Sequence, residues 1–325
     1  MVEDPRFTNN RSIIKDRGFS EDGNRMHAIE RPGGRMLSFE TSGDPKGVPV
    51  FYFHGSPGYG GGPKPRSSVL HRMGIHFIAY TRPGYDTSDR QEGRSVADAV
   101  DDVKAIADGM GIEKFAVVGR SGGGPYALAC AALLPERVIY TGSLVGPAPL
   151  DMMGEDWSKK MVDSNAAIPD MSDDEIVRQC TEFARLAVTA NTGSEPKETF
   201  QHFPPNITDQ ARRDLRTFGV DIAMQQSYNR AFRKRPDGSF DAGGWIDDIR
   251  ALRKDWGFNF EDIRGKVRLY YQQNDDYFPS DHGARLRELM MTAQVEFSIG
   301  RGTHFESFED LRDVLGEIRD LGSTT

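Results

Sequence analysis

The stretch 115–129, Phe-Ala-Val-Val-Gly-Arg-Ser-Gly-Gly-Gly-Pro-Tyr-Ala-Leu-Ala, constrains the fold of this chain more than any other. Four strand-forming residues, Phe115 to Val118, run into Gly119, Arg120, Ser121, Gly122 and Gly123, and small helix-forming residues follow. The pattern predicts a buried strand, a sharp turn and a buried helix, with Ser121 at the turn. So tight a turn forces the serine into strained backbone geometry and admits only small residues two before and two after it, here Gly119 and Gly123. The Ser121 hydroxyl then stands at a helix N-terminus, where N–H groups and the helix dipole favour developing negative charge. A phosphate loop would need Gly-x-Gly-x-x-Gly, or a Lys-Ser/Thr pair after the glycines, and neither occurs.

Around this stretch the apolar runs alternate with helical patterns. Residues 25–31 and 35–41, joined by Pro32, Gly33 and Gly34, predict a hairpin of antiparallel edge strands. Residues 48–53 form an apolar run suited to a strand buried on both faces, followed at once by His54, Gly55, Ser56, Pro57 and Gly58. Another strand is predicted over 75–81, with an exit loop from Arg82 to Ser88. An amphipathic helix over 95–110 follows, its start capped by Ser95 and Asp98. After the central turn come a strand over 138–145, a strand over 267–272, a helix over 281–292, a strand over 295–299 and a last helix over 309–321. Strands alternating with helices imply right-handed crossovers and a mainly parallel, doubly wound sheet.

The alternation stops between residues 148 and 262. Helical stretches over 173–189, 208–235 and 245–256 are separated by Pro, Gly and Asn, without an evident buried strand, so this segment reads as a helical insertion. Its methionines and aromatic residues suffice to roof an apolar pocket. Residues 1–24 are polar and charged and read as an arm without chemistry of its own. The expected organisation is therefore an arm (1–24), an α/β core (25–147 and 263–325) and a helical cap (148–262). An ordered arm would favour a homodimer.

Composition limits the function classes. Forty-one basic and forty-nine acidic residues give a net charge of -8, and no basic block with interleaved aromatics marks a nucleic-acid surface. No apolar run approaches the ~20 residues needed to span a bilayer, and Met1 to Arg6 lack the apolar core of a signal peptide, so the expected location is the cytoplasm. Of the two cysteines, Cys130 falls in the predicted buried helix, which favours two reduced thiols over a disulfide.

In an open parallel sheet, ligands bind beyond the carboxyl ends of the strands, so the exit loops carry the chemistry. A serine hydroxyl is a weak nucleophile until an imidazole accepts its proton, and that imidazole needs a carboxylate to fix its tautomer. Of the seven histidines, His27, His71, His76, His202 and His282 sit within predicted elements or the insertion. His54 is better suited to bracing its own loop, whereas His304, in the loop after the last strand, is delivered to the carboxyl edge. The strand over 267–272 exits through Asp275 and Asp276, and either carboxylate has the reach. The N–H groups of Gly122 and Ser56, on adjacent loops, are candidates to converge on a substrate oxyanion.

Three motifs together resemble the α/β-hydrolase fold superfamily with a cap domain: His54 to Gly58 as the oxyanion loop, Gly119 to Gly123 as the nucleophile elbow, and Gly302-Thr303-His304-Phe305 as the histidine loop, in the order Ser, Asp, His. The resemblance covers residues 25–320 and implies an eight-stranded, mainly parallel sheet with the cap between strands six and seven. In similar proteins the acid lies four residues before a proline, which selects Asp275, ahead of Pro279, over Asp276. Three positions depart from the pattern: Asp86 replaces a glycine in the loop after Arg82, Gln272 replaces one at a strand end, and Arg301 stands where small residues are common, on the solvated rim.

What the resemblance implies is a serine hydrolase cleaving an ester, lactone or thioester of a mostly apolar small molecule through Ser121, His304 and Asp275, without metal or organic cofactor. His54, Arg120, Trp157, Phe183 and Phe305 are the candidate pocket residues. Alkylating relatives are disfavoured because they carry Asp at the nucleophile position, and proline-releasing aminopeptidases usually show a different elbow. Relatives with the same triad also cleave carbon–carbon bonds. Others are non-hydrolytic: natural-product cyclases, cofactor-free oxygenases or ligand receptors.

Overall fold

The computed structural model of the protein describes residues 14–20, 23–189, 213 and 221–322. Its main sheet has nine strands: β1 (Ile14–Phe19), β2 (Arg25–Glu30), β3 (Met36–Gly43), β4 (Val48–Phe53), β5 (Ile75–Tyr80), β6 (Phe115–Arg120), β7 (Val138–Leu144), β10 (Lys266–Gln272) and β11 (Gln294–Gly300). A separate two-stranded piece, β8 (Arg233–Lys234) and β9 (Phe240–Asp241), belongs to the insertion. The order across the main sheet is β1-β2-β3-β5-β4-β6-β7-β10-β11. From β5 onward all neighbours are parallel, while β1, β2 and β3 run antiparallel.

The apolar runs sort their side chains by the two-residue period of a strand. Phe51 and Phe53 of β4, with Phe115 and Val117 of β6, pack on the helices Asp98–Met110 and Gly124–Leu133. Val50, Tyr52, Ala116 and Val118 face the other way, onto Leu70 and the helix Ser307–Gly322. Both faces are thus covered, and each fully buried Phe or Ile contributes about 1.5–3 kcal/mol. The helix over 98–110 starts as its sequence suggests: the N–H and hydroxyl of Ser95 both donate to Asp98 Oδ2, at 2.6 and 3.0 Å.

Two expectations are corrected. The sheet is mixed and nine-stranded rather than eight-stranded, because residues 14–19 of the expected arm form β1 on the edge of the hairpin. Five of its six residues are exposed, so it carries no apolar alternation; its ties are polar, Asp16 to Arg25 at 2.6 Å and Lys15 to Glu30 at 3.6 Å. Such charged edges discourage pairing with other chains. The remaining described part of the insertion helix expected over 208–235 is Asp221–Ala231, after which Arg233 and Lys234 turn into β8. Residues 190–212 and 214–220, with Phe200, His202, Phe203 and Phe218, lie outside the described residues. No described helix is long and apolar enough to cross a membrane.

The helical insertion leaves the core after β7 and returns at β10. Its helix Gly243–Leu252 presses on the loop after β5 glycine against glycine: a Cβ on Gly244 would fall 2.7 Å from the Gly84 carbonyl carbon, and one on Gly84 would fall 2.7 Å from the Gly244 Cα. That close approach lets carboxylates of this helix reach arginines of the core.

Candidate active site

β6 ends at Arg120, and a single 3₁₀ turn, Ser121–Gly123, leads into the helix Gly124–Leu133. Ser121 has φ +54°, the left-handed region that a serine occupies only under constraint. Gly119 and Gly123 are sterically required: a Cβ on either would lie 2.2 or 2.3 Å from a backbone carbonyl oxygen, of Gly123 and Phe53 respectively. The turn directs Ser121 Oγ to His304 Nε2, 3.0 Å away, and His304 Nδ1 lies 2.8 Å from Asp275 Oδ2. All three residues are buried.

The carboxylate divides its two oxygens between two tasks. Oδ1 of Asp275 accepts from the N–H groups of Tyr277 and Phe278, at 2.8 and 2.9 Å, which leaves Oδ2 facing the imidazole. Asp276 is half-buried and its Oδ1 has no hydrogen-bond partner among the described residues; burial pushes its carboxyl up. The exit loops of β10 and β11 are fastened together by Gln272, one of the departures from the family pattern. Its Oε1 accepts from Gly302 N at 3.0 Å and its Nε2 donates to Asp310 at 2.6 Å. Burial pushes the Asp310 carboxyl up to about 7. Arg120 adds a second fastening, from Nη2 to the His304 carbonyl at 3.1 Å and from Nε to Ser307 Oγ at 2.7 Å.

On the other side of Ser121, the loop after β4 touches the elbow: a Cβ on Gly122 would lie 3.3 Å from Ser56 N and 2.5 Å from Ser56 Oγ. Ser56 is held from beneath by Asp248, a fully buried residue of the insertion. Five side chains donate to this one carboxylate: Ser56 Oγ at 2.5 Å, Arg82 Nη2 at 2.6 Å, Arg94 Nη2 at 2.7 Å, and the hydroxyls of Tyr85 and Tyr126, both at 2.8 Å. Burial alone would push the Asp248 carboxyl up, but the two guanidiniums and the Ser56 hydroxyl hold it well below the usual carboxylate range. Arg82 also donates to the His54 carbonyl and to Ser56 Oγ, the latter at 2.8 Å. Composition and motif spacing do not disclose this cluster, but one signal was present. Asp248 falls on the same helical stripe as Trp245, Ile249 and Leu252, where an unpaired acid would be costly.

Among the described residues three further ion pairs join insertion to core: Arg90 to Asp247 at 2.8 Å, Arg230 to Asp86 at 2.7 Å and, at the surface, Lys160 to Asp281 at 2.9 Å. Asp86 keeps the turn its position requires, at φ +45°, and gives its carboxylate to Arg230 rather than to the pocket. Arg301 is exposed.

A cavity of about 360 Å³ opens over Ser121 and His304. Gly55, Ser56, Arg120 and Gly122 form its floor, Tyr277, Phe278 and Phe305 flank the imidazole, and Phe183, Met224, Tyr228, Trp245 and Ile249 form the roof. Arg120, Phe183 and Phe305, expected at the pocket, line it. His54 and Trp157 do not. Trp157 packs edge-on against Phe278 and His282, with its Nε1 donating to the Ala148 carbonyl at 2.8 Å, which turns it away from the cavity. His54 sits behind its own loop, Nδ1 2.7 Å from the Gly55 carbonyl and Nε2 receiving the Arg82 N–H at 3.3 Å. Burial, and then the charge of Arg82, hold its pKa well below the ordinary imidazole value, so it serves as a neutral brace.

A serine, imidazole and carboxylate in this relay, on a strained strand-to-helix turn at the carboxyl edge of a mainly parallel sheet, define the nucleophile elbow of one fold family. Residues 48–310 match the family model of the alpha/beta hydrolase fold, and the chain belongs to that family. The proline iminopeptidase of Neisseria gonorrhoeae is 34% identical to it over 106 residues, 32% of this chain and 34% of that protein. The uncharacterized hydrolase YcgS of Bacillus subtilis is 31% identical over 121 residues, 35% of this chain and 39% of that one. These matches span little more than a third of the relatives' length. Among solved structures, the thioesterase domain from the curacin biosynthetic pathway superposes with a TM-score of 0.60 at 15% identity, covering 91% of this chain and 99% of that one. The enol-lactonase of Burkholderia xenovorans gives 0.60 at 14%, covering 90% and 98%. At such identities the likeness is one of fold.

Proposed function

We propose that this protein is a serine hydrolase cleaving an ester, lactone or thioester of a mostly apolar small molecule. The observation that carries the reading is the continuous relay Ser121 Oγ, His304, Asp275 opening into a cavity with a mainly apolar roof. In this reading Ser121 attacks the substrate carbonyl while His304 Nε2 takes its proton, and Asp275 holds the imidazole through Nδ1. The N–H groups of Ser56 and Gly122 stabilise the tetrahedral oxyanion, each contributing about 10²–10³-fold in rate. His304 returns the proton to the departing alcohol or thiol, leaving an acyl group on Ser121. Water, deprotonated by the same imidazole, then releases the acid. The core is assigned to residues 25–147 and 263–325 and the cap to 148–262, with Asp248 making the cap part of the oxyanion side of the site.

Proteins of similar fold include a thioesterase domain, an enol-lactonase and an N-acyl homoserine lactone degrading enzyme, which agree with acyl transfer as the reaction type. The test is turnover of a panel of p-nitrophenyl esters, lactones, thioesters and vinylogous diketones. Hydrolysis of at least one acyl compound, abolished in Ser121→Ala, is expected. Cleavage of diketones alone, or activity surviving the substitution, would refute it.

A further inference from the structure

Arg120 is a buried cation in the catalytic cavity wall whose charge the triad chemistry does not use. Its Nε and Nη2 are occupied by Ser307 Oγ and the His304 carbonyl, and its guanidinium lies over the Phe308 ring at 3.8 Å. No carboxylate of the described residues forms an ion pair with it, and its Nη1 makes no hydrogen bond among them. Asp275 is taken up by His304 and two backbone N–H groups. Asp310 is taken up by Gln272, and with its carboxyl pushed up to about 7 by burial it is only partly charged at neutral pH. The one carboxylate among the described residues lining the cavity, Glu182, is half exposed and paired with Arg185 at 2.5 Å.

Nη1 lies beside the nucleophile turn, in the wall shared by Gly55 and Ser121. It lies 3.5 Å from the point that a Cβ on Gly55 would occupy, and the same point is 3.4 Å from Ser121 Cβ. Those are ordinary van der Waals separations, so the missing side chain at Gly55 leaves a carbon-sized space touching both nucleophile and cation. Buried charges are ordinarily held by a counter-charge, because an isolated one is costly to desolvate. Burial accordingly pulls the guanidinium below its ordinary pKa, although an arginine stays protonated at any working pH.

We propose that Arg120 determines specificity, its Nη1 pairing with a carboxylate of the substrate, so that the ester, lactone or thioester cleaved at Ser121 carries a carboxylate within a few bonds of the scissile carbonyl. The inference rests on the serine-hydrolase reading for the bond cleaved, and on the cavity geometry alone for the anion.

The test compares kcat/KM for length-matched esters: monoethyl glutarate against ethyl pentanoate for a carboxylate on the acyl side, and 4-acetoxybutanoate against butyl acetate for one on the alcohol side. A charge-assisted bond predicts a preference of about 10-fold or more for one of the anionic esters. Arg120→Gln should abolish that preference and Arg120→Lys should keep part of it. Because the ratio is taken within each variant, a general loss of rate from a loosened His304 loop cancels. A preference for the neutral esters, or an equal ratio in wild type and Arg120→Gln, overturns the proposal. Should no ester turn over, the serine-hydrolase reading fails separately. Calorimetric binding of monoethyl glutarate and 4-acetoxybutanoate to Ser121→Ala, lost in Ser121→Ala/Arg120→Gln, would still support the anion site, and equal or absent binding would overturn it.

Discussion

Asp275→Asn is expected to lower kcat about 10⁴-fold, as an amide in that position favours the wrong imidazole tautomer. In the folded protein Oδ2 meets His304 Nδ1 at 2.8 Å while Oδ1 is tied to two backbone N–H groups. Asparagine can satisfy those N–H groups with its oxygen, which presents its NH₂ to Nδ1 and leaves the proton on Nε2, where it must donate rather than accept. Folding stability should change little by comparison. Asp276→Asn is the matched control, since its carboxylate makes no hydrogen bond to His304, its Oδ1 has no partner among the described residues, and its backbone carbonyl, which accepts from Val162 N at 2.6 Å, is kept. It should keep kcat within a few-fold of wild type. Steady-state kinetics of the two variants decide the matter, and equal losses would remove Asp275 from its role.

Asp248→Asn is expected to destabilise the protein by about 3–5 kcal/mol, the usual cost of leaving buried charge without its partner. Arg82 and Arg94, both buried, would lose the one carboxylate among the described residues that pairs with them. The same change should lower kcat more than it raises KM, because the Ser56 loop would lose the anchor that aims its N–H at the oxyanion. Ser56→Ala separates the two effects: it removes the 2.5 Å hydroxyl contact to Asp248 and the 2.8 Å contact from Arg82 but keeps the backbone N–H and leaves both arginines paired with Asp248. A hydrogen bond to a charged group is worth about 1.5–3 kcal/mol, so its stability loss should stay below that of Asp248→Asn, which leaves two buried guanidiniums unpaired, while kcat still falls. Urea unfolding alongside kinetics checks both, and wild-type stability in Asp248→Asn would show that the cluster does not hold the cap to the core.

The nucleophile turn was legible because its demands are local. A serine in left-handed backbone between a buried strand and a helix needs small residues at fixed offsets, and Gly119 and Gly123 stand there. His304 and its loop were legible for a topological reason, since the exit of the last strand must fall at the carboxyl edge. Between Asp275 and Asp276, by contrast, the position of the strand exit left both open, and only the resemblance, through the spacing to Pro279, favoured Asp275. The choice depends on which oxygen the Tyr277 and Phe278 N–H groups capture. β1 was missed because an edge strand with five of its six residues exposed has no apolar period to detect. Trp157 was misplaced because an aromatic residue in a cap has two apolar destinations, the ligand and the core, and its indole N–H found the Ala148 carbonyl on the core side. Asp248 escaped because its five donors come from two loops and a helix far apart in the sequence, a convergence that exists only after folding.

The most direct test of Ser121 as an activated nucleophile is covalent labelling of the wild-type protein by a fluorophosphonate, read by intact mass and peptide mapping. The expected result is a single adduct on Ser121 whose formation is suppressed in His304→Ala. A folded protein that forms no adduct, or that labels equally well without His304, would contradict an imidazole-activated serine at this site.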